Sequence, residues 1–194
     1  MIHLQQSNQS IETTRKKALQ IMHKGMISYS LACQGWDVSD HLGDGYDLLC
    51  VKKLENPVII QVELKAIDIL SYSDHMPGFS QSISANEIAT ASHVIVSVFE
   101  NIKPLGHYIM TLADLFSEIK NKGTSKYSEY KDFHHYRNEA TEIALKNAYR
   151  KKNQKKEPNR MSVDIGCSFK KYHSGKWVLE QYKECWLNLE KANQ

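Results

Sequence analysis

The 194 residues are 41% hydrophobic and 24% charged, enough apolar material for a packed core and too much for a disordered chain. No apolar run approaches the roughly 20 residues that span a bilayer, and Met1 to Ser7 lack the basic-then-apolar layout of a secretory leader, so a cytoplasmic protein without membrane contact is expected. The net charge of +3 joins two unlike halves: residues 1–100 hold 7 Lys/Arg against 11 Asp/Glu, a net −4, and residues 101–194 hold 18 against 11, a net +7.

Along the chain, residues 11–34 read as a helix. Ala18, Ile21, Met22, Gly25, Met26 and Tyr29 recur at spacings of three and four and are expected on its inner face, with Gly35 as C-cap. Trp36-Asp37-Val38 starts an extended segment, and residues 41–45 turn. Two strands follow, 45–51 and 57–66, joined by a polar turn at 52–56. Residues 67–79 read as a loop. A short helix is expected within 82–92, where Ser84 and Glu87 have the spacing of a capping box.

The apolar run 93–99 has the look of a central strand, and 106–110 a further one. Thr111 is placed to cap a helix to Lys120 whose inner face is Leu112, Leu115, Phe116 and Ile119. Beyond Asn121 the chain becomes polar and helix-forming through Arg150. A strand at 163–169 follows, and the latter part of 177–190 reads as a helix docked on the core, with a strand at 176–179 as the alternative. The expected division is a core at 1–122 and a basic, mainly helical C-terminal extension at 123–194 packed on it. Four cysteines, Cys33, Cys50, Cys167 and Cys185, show no CxxC spacing and read as reduced, buried thiols rather than zinc ligands.

The informative feature is Asp47 followed by the strand Gln61-Val62-Glu63-Leu64-Lys65. Side chains alternate along a strand, so Gln61, Glu63 and Lys65 share one face while Val62, Leu64 and Ala66 take the other. A hairpin brings Asp47 to the polar face. Two carboxylates and an ammonium in a half-buried sheet are costly unless they pair or bind something. The plain alternative is a solvent-facing strand carrying a Glu–Lys pair.

With its surroundings, the motif resembles the PD-(D/E)xK nuclease superfamily, which includes restriction endonucleases and Holliday-junction resolvases. The resemblance covers residues 10–115: a helix ending in Cys33-Gln34-Gly35-Trp36, then Tyr46-Asp47-Leu48, then Gln61-Val62-Glu63-Leu64-Lys65. It implies an α/β fold with a restriction-endonuclease-like α-β-β-β-α-β core, a central mixed sheet flanked by helices. Two departures stand out. Tyr46 precedes Asp47 where a proline is common, and no acid follows Gly25 in the first helix, which puts a second metal in question. Glu12 is the one acid in that N-terminal helical region.

The resemblance implies Mg²⁺, with Mn²⁺ as substitute, held by Asp47, Glu63 and the backbone carbonyl of Leu64. Lys65 is then the catalytic lysine, and Gln61 on the same stripe positions water or phosphate. Phosphodiester hydrolysis suits such a set, because a hard cation both activates water and neutralises phosphate charge. DNA is the expected partner, and a homodimer is implied by the resemblance alone.

Phosphate steering is assigned to the basic run: Lys146, Arg150, Lys151, Lys152, Lys155 and Lys156, continuing to Arg160. A solvated helix surface accounts for the same lysines. His93 reads as structural. His134 and His135 are poor joint ligands, since neighbours on a helix diverge by about 100°. Gln81 lacks a tyrosine four residues on, which excludes one exonuclease branch, although Ser80-Gln81 is a candidate neighbour of the site. Two other readings stay open: a nuclease-derived binding or regulatory protein without turnover, and an α/β protein unrelated to nucleic acid.

Overall fold

The structure, a computed structural model, describes residues 2–71, 78–121, 127, 129–152 and 161–190; for residues 2–12, 71, 151 and 152 it describes the backbone alone. Helix α1 (Ile2–Cys33) leads into β1 (Trp36–Asp40), β2 (Leu48–Lys52) and β3 (Val58–Asp68). A 3-10 turn at Ile69–Ser71, strand β4 (Gly78–Ser84) and helix α2 (Ala85–Thr90) form the crossover to β5 (His93–Glu100), followed by β6 (Lys103–Thr111) and α3 (Leu112–Asn121). The chain continues as α4 (Phe133–Lys152), β7 (Ser162–Ser168) and α5 (Phe169–His173).

The main sheet has the order β1-β2-β3-β5-β6. β3 and β5 are parallel and the other neighbours antiparallel, so this is an α/β protein with a mixed five-stranded sheet flanked by helices. β5 sits beside β3, and every residue from His93 to Phe99 is buried, as its unbroken apolar run predicts. One sheet face packs Val94, Val96 and Val98 against α2, α3 and the C-terminal segments. The other packs Ile60, Val62 and Ile95 under Ile27 and Leu31 of α1.

The hairpin, the α2 capping box and the α3 cap follow the sequence. Ser84 Oγ accepts the Glu87 N–H, and the Glu87 carboxylate accepts the Ser84 N–H. Thr111 Oγ1 accepts the Asp114 N–H at 3.0 Å, and Leu112, Leu115, Phe116 and Ile119 are all buried. Thr111→Ala is expected to lower unfolding free energy by about 1 kcal/mol, as measured by urea denaturation.

Other expectations are corrected. The α1 stripe lies elsewhere: Leu19, His23, Ile27 and Leu31 are buried, while Ile21 and Tyr29 are each 74% exposed. A histidine holds one position of the buried i, i+4 row, which breaks the apolar pattern that sequence reading follows. The helix also begins nine residues earlier, at Ile2. β3 runs on to Asp68, and part of the predicted loop, from Gly78, is strand β4. The predicted C-terminal helix is two 3-10 turns, Glu180–Tyr182 and Trp186–Glu190. All four cysteines are free, but only Cys50 and Cys167 are buried; Cys33 is exposed and Cys185 intermediate.

Described residues after 122 pair with and pack on those before it. β7 pairs with β4 along seven residues, from Gly78↔Ser168 to Ser84↔Ser162. Trp177, Leu179 and Tyr182 join the same hydrophobic cluster as Val94 and Met110. Arg137 of α4 donates to the carbonyls of Ala89 (3.2 and 3.3 Å) and Thr90 (3.5 Å), a cation on the last carbonyls of α2. The C-terminal part thus braces the two crossover elements that border the cavity described next.

Candidate functional site

β2 stops at Leu48, paired with Val62, while β3 continues six residues further. That stretch of β3 has β5 on one side and an open edge on the other. A cavity of about 390 Å³ opens there, lined by Asp47, Glu63, Leu64, Lys65 and Ala66, by Gln20, Ile21, His23 and Lys24 of α1, and by Gln81 and Glu87.

Asp47 lies one step beyond the last β2–β3 pair, opposite Glu63. Its N–H donates to Val62 O at 2.9 Å and its carbonyl accepts the His41 N–H at 3.0 Å. Its Oδ2 accepts the Leu64 N–H at 2.9 Å. The N–H and C=O of one strand residue project to the same edge, so the Leu64 carbonyl also faces the open side, beside the Asp47 carboxylate. Gly45, at φ +126°, permits this approach, since a Cβ there would run into the Thr90 side chain of α2.

Glu63 is 5% exposed. Lys65 Nζ lies 2.8 Å from Glu63 Oε1 and 3.0 Å from Glu87 Oε1. Burial pushes the Glu63 carboxyl up to about 8; Lys65 pulls against that, and the Glu87 and Asp47 carboxylates add to it. Burial opposes charge on Lys65, but Glu63 and Glu87 override it and raise its pKa. Two carboxylates, Glu63 and Glu87, therefore hold one ammonium, with the Asp47 carboxylate in the same cavity.

No family model matches the chain, and no curated protein matches it.

The donors suit a hard divalent cation. Among the described residues no three His, Cys, Asp or Glu side chains form a group that could hold a metal ion. Mg²⁺ asks for less: one or two carboxylates, a further oxygen and several waters. Asp47, Glu63 and the edge carbonyl of Leu64 could supply such a set.

Gln61 is not among the lining residues. Its backbone N–H donates to Ser92 Oγ and its carbonyl accepts from the Ser92 hydroxyl and N–H. Among the described residues the α1 lining contains no carboxylate: Gln20, His23 and Lys24 are its polar groups, with Lys24 3.3 Å from Asp40. The Glu12 side chain lies outside the described residues. In α4, Lys146 is exposed and pairs with Glu142 at 3.3 Å, and Arg150 is half-buried. The side chains of Lys151 and Lys152, and all of Lys155, Lys156 and Arg160, lie outside the described residues. His93 is fully buried between Ser92 Oγ (2.8 Å) and Asn188 O (3.1 Å), a structural role. His134 and His135 are exposed on α4.

Sequence reading missed Glu87 as a site residue and His23 altogether. Glu87 was visible only as a capping residue. His23 had one signal, a polar residue spaced i, i+4 from Leu19 and Ile27. It hydrogen-bonds Ser97 Oγ at 2.6 Å, and the same hydroxyl meets His107 Nδ1 at 2.7 Å.

Proposed function

We propose that this protein is a divalent-cation-dependent endonuclease of PD-(D/E)xK type that hydrolyses DNA phosphodiester bonds. The observation that carries this reading is the convergence of Asp47, Glu63 and Lys65 on one cavity at an open strand edge, with the Leu64 carbonyl beside Asp47. Asp47, Glu63 and Leu64 would hold the cation. When bound, it supplies charge neutralisation at the phosphate and acidifies water. Lys65 orients the nucleophilic water or donates a hydrogen bond to the phosphate as charge builds. Glu63 and the Lys65 ammonium are largely buried, so their charges act more strongly on each other than they would in water. The basic C-terminal half, with Lys146 and Arg150 on α4, is suited to the DNA backbone.

The test is a cleavage screen over linear, circular and junction DNA with Mg²⁺ and with Mn²⁺. Product that disappears with chelator is the expected result. The lack of a carboxylate among the described α1 lining residues favours a second reading, a nuclease-like DNA-binding protein without turnover. Salt-dependent DNA binding with no product on any substrate would select it.

A further inference from the structure

We propose that Glu87 is the positioning residue for Lys65: it retains the ammonium in the cavity when a divalent cation takes the Glu63 carboxylate. This rests on the cation-dependent reading above. Lys65 Nζ now bridges Glu63 Oε1 and Glu87 Oε1, at 2.8 and 3.0 Å. An ammonium on Glu63 occupies an oxygen that an ion needs, and two cations on one carboxylate repel. The flexible lysine stem lets the amine move, so something must keep it from leaving for solvent. Charge balance points to Glu87. A divalent ion and one ammonium carry +3, and Asp47, Glu63 and Glu87 carry −3 when ionised.

The fold sets Glu87 independently of Lys65. Its Oε2 accepts the Ser84 N–H at 2.6 Å, which leaves Oε1 toward the lysine. The short helix beneath is anchored by buried Ala85 and Ile88, and Arg137 ties its C-terminal carbonyls to α4. A helix cap thus doubles as the lysine's second anchor, with one oxygen for each task.

Glu87→Gln separates the two tasks. Glutamine serves in a capping box as glutamate does, but it carries no charge. Ser84→Ala does the reverse, removing the side-chain half of the cap and keeping the carboxylate. The first readout is the Lys65 NH₃⁺ signal in nitrogen-15 NMR, assigned by its loss in Lys65→Ala and visible while hydrogen bonds slow its exchange with water. In the parent and in Ser84→Ala it should persist on saturation with Mg²⁺. In Glu87→Gln it should vanish when Mg²⁺ is added, and kcat for DNA cleavage should fall by about 10- to 100-fold with KM little changed.

A Glu87→Gln protein that keeps the signal in Mg²⁺ overturns the proposal. Equal losses in Ser84→Ala and Glu87→Gln also overturn it, since Glu87 then acts only as a cap. A parent that binds Mg²⁺ yet cuts no DNA defeats the nuclease reading, and the NMR contrast still decides Glu87. A parent in which the Lys65 signal persists but does not shift on Mg²⁺ addition overturns this proposal as well, since the ammonium has then not left Glu63 for Glu87.

Discussion

If the proposed nuclease reading holds, Asp47→Ala and Lys65→Ala are each expected to lower Mg²⁺-dependent DNA cleavage by at least about 10³-fold while the protein stays folded. The two fail for different reasons. Asp47→Ala removes a proposed cation ligand and the acceptor for the Leu64 N–H, so it should also weaken Mg²⁺ binding. Lys65→Ala removes the ammonium that sits on Glu63 Oε1 and leaves both carboxylates in place. Calorimetry should therefore find Mg²⁺ still bound by Lys65→Ala, with release of a proton from Glu63. Loss of Lys65 leaves Glu63 buried without its partner, but burial already holds that carboxyl near 8, so it takes up a proton near neutral pH and the fold survives. Circular dichroism and the urea midpoint check the fold in both variants. Parental cutting by either variant would remove the nuclease reading.

The hairpin that brings Asp47 opposite Glu63 was legible because it is local. Alternation along β3 and a polar turn suffice to place the three groups, and β2–β3 pairing ending at Leu48↔Val62 realises it. Glu87 was half-legible. Its spacing from Ser84 announced a cap, but its contact with Lys65 spans 22 positions and depends on how α2 crosses the sheet. The burial of α1 misled for a similar reason: the row Leu19, His23, Ile27, Leu31 is paid for at His23 by a hydroxyl on a strand 74 residues away. The β4–β7 pair lies 82 positions apart at Ser82↔Asp164; β7 was legible as a strand from its alternation of Val163, Ile165 and Cys167, but β4 has only Phe79 and Ile83 among polar and small residues, too weak a pattern to announce a second sheet. What sequence could not supply in each case was a long-range partner that changes the meaning of a local residue.

His23 gives this protein a specific acid sensitivity. Burial, and then the neighbouring His107, lower its pKa from 6.5 to about 3. The imidazole is thus neutral in the folded protein over a range where the unfolded chain binds a proton. Its contribution to stability is present above about pH 6.5 and is lost as pH falls toward about 3. At pH 4 the loss reaches about 3 kcal/mol, taking about 1.4 kcal/mol per pH unit over that window. The surroundings explain the direction. Ser97 Oγ has one proton to share between His23 Nε2 and His107 Nδ1, so one ring already donates to it. Burial also lowers the His107 pKa, opposed by Glu184, so His107 adds acid sensitivity of the same sign. Other carboxylates also titrate near pH 4, so the informative quantity is the difference between the parent and His23→Gln, which keeps a hydrogen-bonding side chain and cannot titrate. Urea unfolding at pH 7 and pH 4 should show the variant losing less stability than the parent by about 3 kcal/mol. Parallel losses in the two proteins would mean that His23 carries a proton in the fold, which its place among Ser97, His107 and the edge of Phe99 opposes.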